Sequence, residues 1–323
     1  MQKVRVGVLR GGPSNEYDIS LKTGDSVLAH LSPEKYQPID VFIDREGVWH
    51  VRGIPIAPVR LISQVDVLFN ALHGAFGEDG RLQCLLDTYR VPYTGSGALA
   101  SALGMNKVLT RRPLSSLDIK LPRYKLFSVS SSLEKELLEL FRTFPQPVVV
   151  KPLSGGSSIG VTVARSFNAL KEGVAAAFEH SPQVLVEEYI SGREATCGIV
   201  ENFRDETHYA LPPVEIMPPA SSTFFDYQAK YGGECREECP GNFTRTEKAE
   251  LARLSRLVHE TLGLRHYSRS DFILSSRGIY FLEVNTLPGL TTQSLLPKAL
   301  ETIGCSYPQF LDHVITQALE QRR

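Results

Sequence analysis

The sequence predicts a mixed α/β and α+β protein that opens on a parallel sheet and closes on an antiparallel hairpin. Three observations carry that reading. Residues 4–9 and 65–72 are almost wholly apolar, as strands buried on both faces must be. Each runs into a glycine-containing turn and then a helical pattern, the alternation that builds an open α/β layer. Residues 271–274 and 279–284 are strand-like runs on either side of Ser275-Ser276-Arg277-Gly278, which predicts a hairpin.

A chain of 323 residues suggests two to three domains and can bury a large core without staples. Its 42% hydrophobic and 22% charged content is that of an ordinary soluble protein. A net charge of −1 gives no basic footprint for nucleic acid. No apolar run approaches the length of a membrane span. The N-terminus enters a strand directly and does not resemble a signal peptide. The five cysteines, at 84, 197, 235, 239 and 305, are odd in number and scattered, which predicts reduced thiols in the cytoplasm. Cys235 and Cys239 have no second ligand pair, whereas structural zinc takes four ligands.

In order, strand 4–9 leads through Arg10-Gly11-Gly12-Pro13-Ser14 into a helix over 18–31. The spaced glycines of a dinucleotide site are absent. Glu16 and Asp18, at the turn and helix start, suit the positive end of the helix dipole. Residues 38–43 form a further strand. Strand 65–72 ends in His73-Gly74-Ala75-Phe76-Gly77-Glu78-Asp79-Gly80, and loops after strand C-termini carry ligands in such sheets. A helix over 82–89 and a strand and turn over 91–97 complete a first domain of residues 1–100.

The second domain, 101–190, follows. One helix over 98–109 carries Lys107. Strand 148–151 enters Lys151-Pro152-Leu153-Ser154-Gly155-Gly156-Ser157-Ser158-Ile159-Gly160, and strand 161–164 leaves it. Such a loop can offer N–H groups and hydroxyls to phosphates, although it is not a Walker A loop. A helix over 167–180 and a strand over 184–189 follow, with Glu187 and Glu188 at an edge that can meet an adenine ring. The last domain, 191–323, begins with residues 194–200 and continues in an extended run at 212–219. Residues 220–243 form a long polar segment of the kind that is either a functional lid or disordered. Leu251, Leu254, Val258 and Leu262 share one face of a helix over 247–262, and a helix over 307–319 ends the chain.

The hairpin carries the chemistry. Glu283 and Asn285, two apart on a strand, share a face, and the turn brings Asp271 back toward them. An Asp/Glu/Asn oxygen set suits Mg2+ bound to nucleotide phosphates. From the residues alone, an ordinary hairpin with solvated charges stays open as the alternative.

The runs G-G-P-S-N-E-Y-D-I-S, A-L-H-G-A-F-G-E-D-G, P-Y-T-G-S-G, K-P-L-S-G-G-S-S-I-G, F-F-D-Y-Q-A-K-Y and F-L-E-V-N-T-L-P-G-L-T, in this order over nearly the whole length, resemble the D-alanine–D-alanine ligases of the ATP-grasp superfamily. The resemblance implies a three-domain ATP-grasp architecture, with ATP between the central and C-terminal domains and the amino acids against the first. It implies a D-alanyl phosphate formed from ATP and attacked by the amine of a second D-alanine, giving the dipeptide for peptidoglycan.

By the same resemblance Asp271, Glu283 and Asn285 hold two Mg2+ ions, replaceable by Mn2+. Lys107, Lys151 and Lys230 meet phosphates. Glu187, Glu188, Tyr189, Ile190 and Glu194 surround adenine and ribose. Arg269 and the Gly289 N–H serve the oxyanion. Glu16 takes the first D-alanine's ammonium, and His73 lies near its carboxyl end. Ser294 and Lys230 take the second carboxylate. Ser157 and Tyr231 join Glu16 in a hydrogen-bonded set that closes the loops. A homodimer is also implied. Glu188 stands where relatives often have Lys, Phe225 where Tyr is common, and Leu287-Pro288 replaces a more usual Ser-Pro or Thr-Pro. A nucleotide-binding module without catalysis is the rival reading, and the intact metal set argues against it.

Overall fold

The computed structural model describes residues 3–155, 160–217 and 236–320. Its first sheet has the order β4-β3-β2-β1-β5, formed by β1 (Val4–Gly11), β2 (Tyr36–Ile43), β3 (Trp49–Val51), β4 (Ile54–Pro55) and β5 (Val67–Asn70). β1 pairs in parallel with β2 and β5, as the two apolar runs require. The crossover from β1 is α1 (Tyr17–His30). Its small residues Ser20, Thr23 and Gly24 face inward, and a Cβ at Gly24 would lie 2.5 Å from that of Arg10. α2 (Pro58–Ile62) precedes β5, and α3 (Arg81–Thr88) follows it. Residues 91–93, expected as a strand, make only an isolated bridge from Tyr93 to Leu68.

The helix expected over 98–109 is two helices, α4 (Ala98–Met105) and α5 (Lys107–Leu114). Asn106 breaks them. Its backbone is extended, and its side chain accepts from the Val108 and Leu109 N–H groups as the N-cap of α5. Asparagine satisfies those otherwise orphaned donors well, and the break places Lys107 in the first turn of a new helix.

The second sheet has the order β6-β9-β7-β8, formed by β6 (Tyr124–Ser128), β7 (Val148–Pro152), β8 (Thr162–Ala164) and β9 (Gln183–Glu188). α6 (Leu133–Thr143) and α7 (Phe167–Phe178) pack on it through Leu137, Leu140, Leu170 and Val174. The third sheet has the order β13-β12-β10-β14-β15, with β11 paired to β10. Its strands are β10 (Arg193–Phe203), β11 (Glu206–Ala210), β12 (Val214–Met217), β13 (Arg236–Glu238), β14 (Tyr267–Ser275) and β15 (Gly278–Asn285). α8 (Arg245–Thr261) covers it and begins with a capping box between Thr244 and Glu247.

β14 and β15 form the expected hairpin. Asp271 lies opposite Glu283 and Arg269 opposite Asn285. The register shifts between Asp271 and Phe272, so that Phe272 meets Phe281 and Leu282 is the extra residue of a bulge. The two phenylalanines pack edge to face in the core, ring centroids 5.8 Å apart. After α9 (Leu295–Thr302), α10 (Tyr307–Glu320) returns to the first sheet. Phe310, Val314 and Ile315 join Val6, Val8 and Phe69 in one core, and Tyr36 Oη donates to Asp312 at 2.6 Å. Among the described residues no helix is long and apolar enough to cross a membrane.

Candidate active site

The pairing of β14 with β15 puts Arg269, Asp271, Glu283 and Asn285 on one face, because opposed residues of an antiparallel pair point the same way. Asp271 is the hub. Its Oδ1 accepts from Arg269 Nε at 3.0 Å and from Thr196 Oγ1 at 2.6 Å. Its Oδ2 accepts from Arg269 Nη2 at 3.1 Å and from Asn285 Nδ2 at 3.0 Å. Thr196 is the residue opposite Asp271 on β10. Glu283 Oε2 lies 3.3 Å from Lys107 Nζ, and Lys107 also donates to the Gly155 carbonyl at 2.9 Å. The α4–α5 break thus delivers a lysine to the hairpin and to the Gly/Ser loop. Asp271, Glu283 and Asn285 supply the hard oxygen donors that Mg2+ takes, so the residue set fits that ion.

Beside the hairpin lies a cleft of about 340 Å3. Lys151, Glu187, Glu188, Tyr189, Ile190 and Glu194 line it, with Ile216, Ile273 and Leu282 providing apolar surface. Such a mixture suits a flat heterocycle with polar edges. The Glu187 side chain is already engaged at the cleft wall: Oε2 lies 3.2 Å from Lys151 Nζ and Oε1 2.9 Å from Arg111 Nη2. Burial opposes its ionisation, but Lys151 and Arg111 outweigh it and hold the carboxyl below its ordinary range. Arg111 is 1% exposed and also donates to the Leu282 carbonyl at 3.3 Å. Glu188 is buried, with Oε1 accepting from the Arg123 N–H at 3.2 Å and Arg277 3.6 Å from Oε2.

The first sheet meets the same hairpin through the loop after β5. His73 is buried, and its Nε2 lies 2.8 Å from Thr23 Oγ1. Burial, with the nearby Arg269 charge, pushes its pKa down to about 4 against a hydrogen bond to the Leu287 backbone. Its carbonyl accepts from Ser14 Oγ at 2.6 Å, and the same hydroxyl accepts from the Glu16 N–H at 3.1 Å. Gly74 has φ +72, and a Cβ there would lie 2.7 Å from Glu16 Oε2. Only glycine meets both conditions without strain. Glu78 accepts from the Gly74 N–H at 2.7 Å, the Leu287 N–H at 3.1 Å and Thr286 Oγ1 at 3.3 Å. Its burial and the charge of Glu16 raise its pKa well above the usual carboxylate range. A Cβ on Gly289 would come within 2.9 Å of Ser294 Oγ, and Ser294 Oγ lies 2.8 Å from Thr291 Oγ1.

The structure therefore brings Glu16, His73, Lys107, Arg269, Asp271, Glu283 and Asn285 into one linked neighbourhood, with the cleft residues alongside. Ser157, Lys230 and Tyr231 lie outside the described residues. Sequence reasoning missed Glu78, Arg111 and Thr196. Glu78 stood inside a motif already singled out. Arg111 follows Lys107 by four residues, one helical turn onward. Thr196 gave no signal, since its role depends on strand register.

Residues 5–57 and 54–96 match the family model for the D-ala D-ala ligase N-terminus, and residues 114–316 that for its C-terminus. A D-alanine–D-alanine ligase from Geotalea uraniireducens is 36% identical over 97% of this chain and 95% of its own length. One from Syntrophobacter fumaroxidans is 36% identical over 99% of both. Among solved structures, the D-alanine–D-alanine ligase of Bacillus anthracis superposes with a TM-score of 0.80 at 31% identity, covering 99% of this chain and 98% of that one. The VanG D-Ala:D-Ser ligase of Enterococcus faecalis superposes with a TM-score of 0.86 at 29% identity, over 98% and 100%. With both family halves matched in order and full-length relatives of one name, the chain belongs to the D-alanine–D-alanine ligase family.

Proposed function

We propose that this protein joins two D-alanines at the expense of ATP, through a D-alanyl phosphate, to give D-alanyl-D-alanine, ADP and phosphate for peptidoglycan precursors. The observation that carries the reading is the shared face of Arg269, Asp271, Glu283 and Asn285 beside a nucleotide-sized cleft. Phosphoryl transfer asks a protein chiefly for positioning and charge neutralisation, and Lys107 and Lys151 stand where phosphates between cleft and hairpin would reach. Bound at Asp271, Glu283 and Asn285, two Mg2+ ions would neutralise charge on the transferring group.

Cleft residues Glu187 to Ile190 and Glu194 hold adenine and ribose in this reading. Glu16 binds the first ammonium, with His73, neutral at working pH, near the carboxyl end. The second amine attacks the acyl phosphate carbonyl, Arg269 with the Gly289 N–H takes the oxyanion of the tetrahedral intermediate, and its collapse expels phosphate and leaves the amide. Oriented donors at a developing charge supply much of a rate enhancement. Ser294 and Lys230 fix the second carboxylate. Ser157 and Tyr231 help shut the site, which protects the acyl phosphate from water. We assign residues 1–100, 101–190 and 191–323 to substrate, central and metal-bearing domains, and place the enzyme in the cytoplasm as a homodimer.

The experiment is phosphate release with ATP, Mg2+ and D-alanine, with D-serine, D-lactate and L-alanine added singly beside D-alanine. Release with D-alanine alone, and D-alanyl-D-alanine as product, is expected. Turnover only when another acceptor is supplied would overturn the substrate assignment.

A further inference from the structure

Five residues along β10 from Thr196, on the order of 15 Å away, a second cluster stands apart from the hairpin face. Glu201 on β10 lies directly opposite His208 on β11, and His259 reaches both from α8. One ligating atom from each residue lies within 4.8 Å of the other two. Glu201 Oε1 is 3.5 Å from His259 Nε2 and 4.0 Å from His208 Nε2.

The arrangement leaves one buried nitrogen poorly served. His259 is fully buried, and its Nε2 has no partner at hydrogen-bond length among the described residues. Its Nδ1 lies 2.7 Å from Ser268 Oγ, whose hydroxyl can donate to it, and Nε2 then faces Glu201 Oε1 at 3.5 Å, long for an N–H···O bond. A divalent cation between Nε2 and Oε1, with Nδ1–H donating to Ser268 instead, would bind both atoms at shorter distances.

The surroundings are those of a built site. Glu201 Oε2 accepts from the His266 N–H at 2.6 Å, which leaves Oε1 to the cluster. The Glu201 carbonyl meets His313 Nε2 at 2.7 Å. The His208 carbonyl accepts from Arg256 Nε at 2.9 Å, and the charge of Arg256 is offset by Glu206 at 3.1 Å. Outer contacts of this kind orient ligands. Metal–ligand bonds near 2.1 Å at a tetrahedral angle put ligand atoms about 3.4 Å apart, close to the 3.5 Å between Glu201 Oε1 and His259 Nε2, and His208 Nε2, 4.0 Å from that oxygen, would close in on binding. His208 remains 22% exposed on its side chain and gives a path for entry.

We infer that Glu201, His208 and His259 bind one zinc-class divalent ion, with water completing the coordination. It pins the β10–β11 hairpin to α8, and it is structural in role because its ligands stand outside the substrate site.

The test uses the full-length protein, stripped with chelator and freed of Mg2+, with Zn2+ or Co2+ as probe. Retained metal after gel filtration, the Co2+ visible spectrum and the melting temperature are read. One equivalent of Zn2+, a raised melting temperature and a Co2+ spectrum without thiolate bands are expected. His208→Ala and Glu201→Gln should weaken binding about 100-fold or more, while Glu283→Gln, at the hairpin face, should leave it intact. His208 is on the solvent side, so its variant keeps the test valid should buried changes at His259 unfold the protein. No retained metal, equal retention by His208→Ala, or thiolate bands would each overturn the site.

Discussion

Glu78 Oε1 accepts the Leu287 N–H at 3.1 Å across 209 residues of chain, while its Oε2 accepts the Gly74 N–H at 2.7 Å. One carboxyl group thus ties the loop after β5 to the loop after β15. Glu78→Ala removes the acceptor from two backbone donors and should cost roughly 2–4 kcal/mol. Denaturant unfolding checks it, and a looser first-substrate site should raise the KM for D-alanine more than that for ATP.

Arg269 grips Asp271 with two nitrogens, at 3.0 and 3.1 Å, and its charge reaches His73. Arg269→Ala should lower turnover by about 100- to 1000-fold with little change in ATP affinity. Arg269→Lys should rescue little, since a point charge lacks the planar fork. A loss confined to ATP binding would contradict the oxyanion role.

Glu283→Gln keeps the shape of the side chain but removes a hard anionic ligand and the ion-pair partner of Lys107. Turnover should fall about 100-fold or more, and the Mg2+ concentration for half-maximal rate should rise. Unchanged turnover would remove Glu283 from the metal-binding set, whereas nucleotide binding with no turnover even in the unaltered protein would favour a module without catalysis.

His73 contributes a pH dependence to stability. Its pKa is about 4 when folded against an ordinary 6.5. Above 6.5 the ring is neutral in both states and contributes nothing. As pH falls below that value the unfolded chain gains a proton that the folded chain refuses, so stability drops by up to ~3 kcal/mol by about pH 4. In His73→Gln the slope of unfolding free energy between pH 7 and 4 should be shallower; equal slopes would show that other groups set it.

Asn106→Ala removes the cap of α5, and should cost about 1 kcal/mol. Because Lys107 is the next residue, ATP affinity should weaken as well. Asn106→Asp, which retains a capping oxygen, should restore stability.

The parallel strands, α8 and the hairpin were legible because their apolar spacing is set by local geometry. So was the shared face of Asp271, Glu283 and Asn285, which follows from a two-residue period and a short turn. The split at Asn106 was not, because the apolar run continues through it and only the cap interaction ends α4. The return of α10 to the first sheet was equally hidden: its amphipathic pattern says that Phe310 and Val314 are buried, not against what. Thr196 and Glu78 entered the site through contacts with residues far along the chain, which no local pattern records.

The extra residue in β15 has a further consequence. In an unbroken strand, alternate residues share a side, so Phe281 and Glu283 would lie together. With Leu282 inserted, Phe281 joins Phe272 in the core while Glu283 stays opposite Asp271. Leu282 itself is released to line the cleft. Core anchoring, the cleft wall and the charged face are thereby supplied by three successive residues of one chain. Excising Leu282 alone would restore an ordinary ladder and keep both outer pairings, yet take away part of the cleft floor. Nucleotide affinity and metal binding could then be separated by chain length rather than by side-chain chemistry.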